Sequence, residues 1–150
     1  QHNPTRKIPM LMEDGMVIFD SNVIYRYLQS KLEISKPTWQ EENRLTIINS
    51  INDSLVELLL CNRSGFDTSE DKLFFILQNE RVDAILPILE NDVLNNKFKK
   101  WDYLSMCLYC LVDWILFRKL TDLTPFPALL AFHQANQNSP GVKVTDPRQS

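Results

Sequence analysis

The sequence lacks the features that membrane-spanning, secreted and nucleic-acid-binding proteins carry. Its 150 residues contain no apolar run of the roughly 18 residues that a membrane span requires, and the chain does not open on a basic segment followed by a long apolar one. The net charge is -3 and the isoelectric point is about 5.4, so there is no basic footprint for nucleic acid. We therefore predict a soluble, cytoplasmic protein with no membrane and no nucleic-acid partner.

Cysteine and histidine are also scarce, which argues against a disulfide framework and against a metal site. The three cysteines, Cys61, Cys107 and Cys110, are odd in number and lack the spacing of a secreted disulfide scaffold. Cys107 and Cys110 form a Cys-x-x-Cys pair, but both fall inside a predicted helix, away from a helix N-terminus that would lower a thiol pKa. We predict that they are buried structural residues. His2 and His133 are isolated from other ligand types, so no metal is expected.

The N-terminal stretch holds the densest set of local signals. Asp14 and Gly15 stand between two apolar runs, and such a pair is typical of a tight hairpin because Gly supplies the positive φ that the turn needs. We predict strands over Ile8–Met12 and Met16–Phe19. The apolar period then becomes that of a helix, with Ser21 at the expected N-cap position. The apolar face of that helix consists of Val23, Ile24, Tyr27 and Leu28.

From Thr38 onward the pattern predicts helices and no strand. Apolar residues recur every three or four positions from about Thr38 to Cys61, which indicates one long amphipathic helix. A second long helix follows a capping box at residues 68–71 and contains Pro87, where we expect a kink or a break just before it. Residues 91–100 are polar and are predicted to form a solvated loop.

The last third of the chain predicts two more helices. Asp102 is placed to cap a helix that continues through a nearly all-apolar run to Phe117, which is typical of the buried centre of a bundle. Asp113 is the one charge in that run, and we expect it to be paired or at an edge rather than catalytic, because buried carboxylates are usually paired. A final helix is predicted over Ala128–Asn138. Residues 139–150 are expected to be extended and partly frayed.

The order of motifs near the N-terminus resembles a known family. The run N-P-x-x-K-I-P ends at Pro9, and it is followed by Asp20-Ser21 and by x-x-I-x-x-Y-L ending at Leu28. This order is similar to the second half of the thioredoxin-like domain of cytosolic glutathione transferases. Asp20-Ser21 alone would more often be a plain helix cap, so the resemblance depends on the joint order and spacing of the motifs.

The resemblance implies a glutathione site. It implies a cis bond before Pro9, a backbone at Ile8 that bonds the cysteinyl part of glutathione, and an Asp20-Ser21 pair that holds the γ-glutamyl end. Asp20 is expected to take the ammonium group of that end. The Ser21 hydroxyl and the first amides of the helix are expected to take its carboxylate.

The glycyl end of glutathione carries a second carboxylate, for which the chain offers two cations. Lys7 or Arg6 is expected to lie near it, brought close to Asp20 by the hairpin. Many members of the resembled family have glycine where this chain has Arg6, so the residue is a departure that affects both the backbone and the local charge.

For the whole chain the resemblance implies a mainly α fold. A β-hairpin and a helix, which form a partial thioredoxin-like domain over residues 1–34, are joined to an all-helical C-terminal bundle over residues 35–150. The implied activity is that of a homodimeric glutathione transferase, which conjugates glutathione to electrophilic apolar compounds and uses no metal. Its thiol-activating Tyr, Ser or Cys is expected upstream of Gln1. The alternative is a non-catalytic binding or scaffolding protein of the same fold.

Overall fold

The computed structural model describes residues 3–149, which form a β-hairpin followed by a series of α-helices. In chain order the elements are β1 (Met10–Glu13), β2 (Met16–Phe19), α1 (Ser21–Lys31), α2 (Trp39–Arg63), α3 (Leu73–Leu94), α4 (Tyr103–Arg118) and α5 (Pro127–Asn136), then two short 3₁₀ helices at Lys143–Thr145 and Pro147–Gln149. The predicted mainly α fold is confirmed. The chain divides into two compact units, the first ending at Trp39 and the second starting at Gln40. No helix within residues 3–149 is both long and apolar enough to cross a membrane.

The hairpin of the first unit forms where the Asp-Gly pair predicts it. β1 and β2 are antiparallel, with Met10 paired to Phe19 at the open end of the hairpin. Asp14 and Gly15 both have positive φ, 49° and 79°, as a two-residue turn of this kind requires. The turn therefore fixes the register of the strands.

Both ends of β1 and the start of α1 differ from the sequence prediction, the strand ending at Glu13 rather than at Met12. The first strand begins at Met10 rather than at Ile8, because Pro9 has no N–H to donate to the ladder. The N-cap of α1 is Asp20 and not Ser21, which is the first residue of the helix. The charged acceptor of the pair thus occupies the capping position.

Glu13, the last residue of β1, ties the hairpin to α1. Its carboxylate accepts hydrogen bonds from the Tyr27 hydroxyl and from Lys31 Nζ. The bond from Lys31, followed by that from Tyr27, holds the pKa of Glu13 below its ordinary value. Because both donors lie on α1, these bonds help to fix that helix beside the hairpin.

The second unit is a helical bundle with one continuous apolar core. Buried side chains of α2, α3, α4 and α5 all contribute to it, together with Phe98 and Leu123 from the connecting segments. The largest apolar side chains with less than 2% exposure are Ile51, Leu89, Leu108, Ile115, Leu129 and Val112. The predicted helices of this region therefore share one core rather than forming separate pairs.

The start of α3 corrects the predicted capping box at residues 68–71. The helix begins at Leu73, and its N-cap residue Lys72 makes no side-chain capping bond. Asp67 instead accepts bonds from the backbone N–H and the hydroxyl of Ser69, at 2.9 and 2.6 Å. The Ser and Asp side chains of this stretch thus stabilise a turn ahead of the helix.

The end of α3 also differs from the prediction, and of the kink or break expected at Pro87 the break is absent. The helix continues through Pro87 without a break and ends at Leu94, so it takes in the first part of the predicted loop at residues 91–100. In the remaining part Phe98 is 8% exposed and its ring lies 5.9 Å from that of Phe132. The loop is therefore anchored to the core by one aromatic residue.

The last helices begin as predicted, but the segment after them does not follow the prediction. Asp102 caps α4 by accepting a hydrogen bond from Ser105 N at 3.1 Å. α5 ends at Asn136, two residues before the predicted end. Residues 139–149 are not extended: they form the two 3₁₀ helices, while residue 150 lies outside the described range. Arg148 of this segment bonds Asp113 of α4, which explains the difference.

Candidate functional site

The first predicted glutathione-binding residues, Arg6 and Lys7, lie in a loop whose backbone is held by hydrogen bonds of the Asn3 and Thr5 side chains. Asn3 Oδ1 accepts bonds from the backbone N–H and the hydroxyl of Thr5, at 3.0 and 2.6 Å. Thr5 Oγ1 in turn accepts a bond from Lys7 N at 3.2 Å, and the Asn3 amide donates to Lys7 O. Arg6 has a φ of 53°, a region that favours glycine, and this agrees with the glycine common at this position in the resembled family.

The side chains of Arg6 and Lys7 are exposed, and neither forms an ion pair with any residue of the described range 3–149. The loop is held by its neutral side chains and by its backbone. Both cations are therefore available to an anionic group.

Ile8 and Pro9 follow the loop, and the peptide bond between them is cis, as predicted. Ile8 is 94% exposed. Its backbone N–H and C=O form no hydrogen bond with residues 3–149. An extended peptide ligand could use both groups, because they lie beyond the start of the β1–β2 ladder.

Asp20 has an unusual backbone and a capping side chain. Its φ is 71°, and its Oδ1 accepts bonds from Asn22 N and Val23 N at 2.9 and 3.2 Å. Its Oδ2 receives no bond from the part of the chain that the structure describes. Asp20 is therefore a helix cap, as the simpler interpretation of the sequence has it. Only Oδ1 is used for capping, so Oδ2 remains for another donor. Ser21 is exposed at the first position of α1.

The strand register brings these two groups of residues to one end of the hairpin. Met10 is paired with Phe19, so Pro9 and Asp20 directly extend the two paired strands beyond that end. The cis bond and the N-terminus of α1 are therefore neighbours, and a ligand there would meet backbone hydrogen-bonding groups, an acid and the positive end of a helix dipole. Neither Arg6 nor Lys7 forms a hydrogen bond or an ion pair with Asp20 within residues 3–149, so neither side chain occupies its carboxylate.

A second candidate site, which sequence reasoning missed, lies wholly within the second unit. It is a cavity of about 810 Å³ between α4, the end of α5 and residues 139–149. Four large aromatic side chains line it together with polar and charged residues: Trp101, Tyr109, Trp114 and Phe117. The predicted glutathione-binding residues take no part in it.

Asp113 is the centre of a charged cluster beside this cavity. Its carboxylate accepts from His133 Nε2 at 2.9 Å and, through both oxygens, from Arg148 at 2.9 and 3.1 Å. The prediction that Asp113 is paired is confirmed. Burial alone would raise the pKa of Asp113, but the bonds and charges of Arg148 and His133 together hold it below its ordinary value. The partners lie 20 and 35 residues away in sequence, so no local pattern could reveal them.

The cysteines of α4 correct one prediction. Both lie mid-helix, but Cys110 is exposed and lines the cavity, while Cys107 is only partly buried. Loss of water around the sulfur raises the pKa of Cys107 to about 12 and also raises that of Cys110. Neither is therefore a ready thiolate. Within residues 3–149 no group of His, Cys, Asp and Glu is arranged to hold a metal ion, and His2 lies outside that range.

Comparison with known proteins bears on the first of the two sites. Residues 1–30 match the family described as "Glutathione S-transferase, N-terminal domain". A search among curated proteins gives no match.

Solved structures resemble almost the whole chain. One is a glutathione transferase family member from Pseudomonas fluorescens Pf-5 with bound S-(propanoic acid)-glutathione: the TM-score is 0.81 at 22% identity, over 96% of this chain and 79% of that one. Another is glutathione S-transferase 1-6 from Anopheles dirus species B, with a TM-score of 0.76 at 20% identity, over 95% of this chain and 71% of that one. The resemblance drawn from the sequence motifs is thereby confirmed, and the chain has the fold of the glutathione transferases, with an N-terminal stretch that matches their N-terminal domain.

Proposed function

We propose that this protein binds glutathione at the open end of the hairpin and acts as a glutathione transferase. The observation that carries the proposal is that Ile8 and Asp20 are neighbours at this end of the hairpin. Ile8 offers an unpaired backbone N–H and C=O after the loop that holds Arg6 and Lys7, and Asp20 offers an unused carboxylate oxygen at the N-terminus of α1. The family match covers this stretch, and one structural relative was solved with a glutathione conjugate bound. Both support glutathione as the substrate.

The chemical assignment follows the charges of the tripeptide. The γ-glutamyl ammonium is assigned to Asp20 Oδ2, and the adjoining carboxylate to the Ser21 hydroxyl and the first amides of α1. The cysteinyl backbone is assigned to the N–H and C=O of Ile8. The glycyl carboxylate is assigned to Arg6 or Lys7, which have no competing ion pair within residues 3–149.

In the proposed reaction the bound thiol loses its proton, and the thiolate sulfur forms a bond to an electrophilic carbon of an apolar compound, either by displacing a leaving group as an anion or by adding to an activated double bond. The residue that stabilises the thiolate is proposed to lie upstream of Gln1. The protein is further proposed to be a cytoplasmic homodimer, since an isologous contact is the commonest way in which such chains assemble. Light scattering at micromolar concentration should return twice the chain mass, and a monomer mass would rule the dimer out.

The experiment that tests the glutathione site is titration calorimetry on the protein with any sequence that precedes Gln1 included. Asp20→Asn is the informative variant, because Asn caps helices as well as Asp and tolerates positive φ, so the change removes the charge and keeps the cap. A charge-assisted hydrogen bond contributes roughly 1.5–3 kcal/mol, so glutathione affinity should fall by about ten- to a hundredfold. Asp20→Ala would mix this loss with a loss of the cap.

Asp14→Asn is the matched control, because Asp14 has a similar φ and lies at the opposite end of the same hairpin. It should leave the affinity unchanged. Equal affinity in Asp20→Asn and the unmodified protein would remove Asp20 from the site. No heat of binding from the unmodified protein at millimolar glutathione would favour the scaffolding alternative.

A further inference from the structure

The cavity of the second unit has the size and the walls of a small-molecule site. Its volume of about 810 Å³ falls within the roughly 300–1,000 Å³ typical of ligand pockets. Its walls are held by contacts between distant parts of the chain: Trp101 Nε1 donates to Pro140 O at 3.1 Å, and Arg148 is bound to Asp113. The space is therefore pre-formed, which lowers the ordering cost of binding.

Tyr109 supplies an unused hydrogen-bond donor in this cavity. The residue is only 8% exposed, with its ring stacked on His133 at 4.8 Å and edge-on to Trp101 at 5.7 Å. Its hydroxyl has no hydrogen-bond partner within residues 3–149.

The Tyr109 hydroxyl is also accessible. In the described part of the chain, Ser105 Oγ is the one fully buried side-chain polar atom that lacks a hydrogen-bond partner. The Tyr109 hydroxyl also lacks a partner, so it must be reachable by solvent rather than fully buried. The cavity is the space that Tyr109 lines. Burial, followed by the charge of Asp113, raises the pKa of Tyr109, so its hydroxyl keeps its proton and remains a donor at neutral pH.

The charged groups Asp113, Asp146 and Arg148 of the cavity wall are paired with one another, whereas Lys143, which also lines the cavity, is exposed. Asp113 is bound by His133 and Arg148, and Arg148 also bonds Asp146 at 3.0 Å while its guanidinium lies 4.7 Å from the centre of the Phe117 ring. Each half-buried charge thus has an opposite partner. An uncharged ligand fits beside these paired groups, because a charged one would lose its hydration there without gaining a new counter-charge.

We propose that this cavity is a second binding site, for a flat, uncharged aromatic molecule with one hydrogen-bond acceptor, such as an aryl ketone. Its rings pack against the aromatic walls at Trp101, Trp114 and Phe117. Its acceptor takes a hydrogen bond from the Tyr109 hydroxyl. The site is separate from the proposed glutathione site and does not depend on it, since the two share no residue.

The test uses prodan, a naphthalene ketone whose emission shifts to the blue in apolar surroundings, together with N,N-dimethyl-2-naphthylamine, which lacks the ketone. The unmodified protein should bind one prodan per chain with a saturable blue shift. Tyr109→Phe keeps the ring and removes the donor, so prodan should bind roughly two- to tenfold more weakly while the amine binds as before. Tyr27→Phe, a matched change in the first unit, should alter neither titration.

A blocking variant and a protection assay complete the test. Cys110→Trp fills the cavity from α4 and should abolish the blue shift, with circular dichroism to check that the variant is folded. In the unmodified protein, prodan should slow maleimide labelling of Cys110 but not of Cys61, which lies outside the cavity. Absence of saturable binding, a folded Cys110→Trp with unchanged affinity, or unprotected Cys110 would overturn the site. Equal losses of both probes in Tyr109→Phe would overturn the hydrogen bond.

Discussion

Asp113 shows how one side chain can fasten a terminal segment to a helix core. Its carboxylate lies on α4, its first partner His133 on α5, and its second partner Arg148 in the last turn of the described chain. The three side chains differ in exposure: those of Asp113 and His133 are largely covered, whereas that of Arg148 is 39% exposed. Solvent screening therefore weakens the second bond relative to a fully buried one.

The lowered pKa of Asp113 predicts a dependence of stability on pH. The folded protein binds the Asp113 proton less tightly than the unfolded chain, so the stabilisation is fully present above the ordinary Asp pKa of about 3.9. It is lost as the pH falls through the lower pKa of the folded state. Asp113→Asn should thus reduce the free energy of unfolding by about 1–3 kcal/mol at pH 7, and the difference should shrink below about pH 4.

Urea denaturation followed by circular dichroism between pH 7 and pH 2 measures this difference. Asp83→Asn is the control, because Asp83 is exposed on α3 and makes no hydrogen bond within residues 3–149. It should track the unmodified protein at each pH. A deficit in Asp113→Asn that persists undiminished at pH 2 would show that the charge of Asp113 contributes nothing.

Residues with local signals were predictable and residues with distant partners were not. Asp14 and Gly15 specify a turn by their own backbone preferences, so the hairpin could be derived from this pair and the apolar runs on either side of it. His133 could only be interpreted as a packing or surface residue, because its partner Asp113 is 20 residues away. Asp20 and Ser21 are both good capping residues, and the backbone geometry decides which of the two is the N-cap.

At the scale of elements, α5 begins on a carboxylate from another helix. Its first amides have no capping side chain of their own, since the N-cap residue Phe126 makes no side-chain bond. Glu90 of α3 takes that role: its two carboxylate oxygens accept from Ala128 N and Leu129 N at 2.8 and 2.9 Å. A negative charge at this position also complements the helix dipole.

Glu90→Ala should therefore destabilise the second unit more than an ordinary surface change. Two partly buried amides lose their acceptor, which costs about 1–3 kcal/mol in the free energy of unfolding. Glu80→Ala is the matched control, because Glu80 is exposed on the same helix and makes no hydrogen bond within the described residues. The measurement is the urea midpoint of each variant by far-ultraviolet circular dichroism. Indistinguishable midpoints would mean that water replaces the carboxylate at no cost.

Element boundaries show the same limit as the single residues. The helices were predictable because apolar periodicity is written along each segment, and α4 and its Asp102 cap were found in this way. The end of α3 and the burial of Phe98 were not, because polar neighbours conceal an aromatic residue whose contact lies on α5. The end of the chain was expected to fray, because the bonds that hold residues 139–149 join them to distant residues and leave no local pattern. These bonds run from Trp101 to Pro140 and from Arg148 to Asp113.

At the scale of the whole molecule, the two compact units differ in how much core each one owns. All 18 buried residues of the continuous apolar core lie between Leu45 and Phe132, within the second unit. In the first unit the described buried residues are Ile18 and Gln29 alone. A two-stranded hairpin with one helix buries too little apolar surface to be stable by itself, and domains shorter than about 40 residues rarely fold without help.

Residues 38–150 should therefore fold alone, whereas residues 1–37 should not. The longer piece should keep a cooperative urea transition and dispersed methyl signals in its nuclear magnetic resonance spectrum, because it retains the whole core and α2 from its first residue. The shorter piece should give the circular dichroism of an unfolded chain. A 38–150 piece without a cooperative transition, or with the dye binding and collapsed near-ultraviolet signal of a molten globule, would mean that the first unit completes the core. If the piece folds, prodan binding should be retained in it at the affinity of the intact chain, because every residue that lines the cavity lies between Trp101 and Gln149.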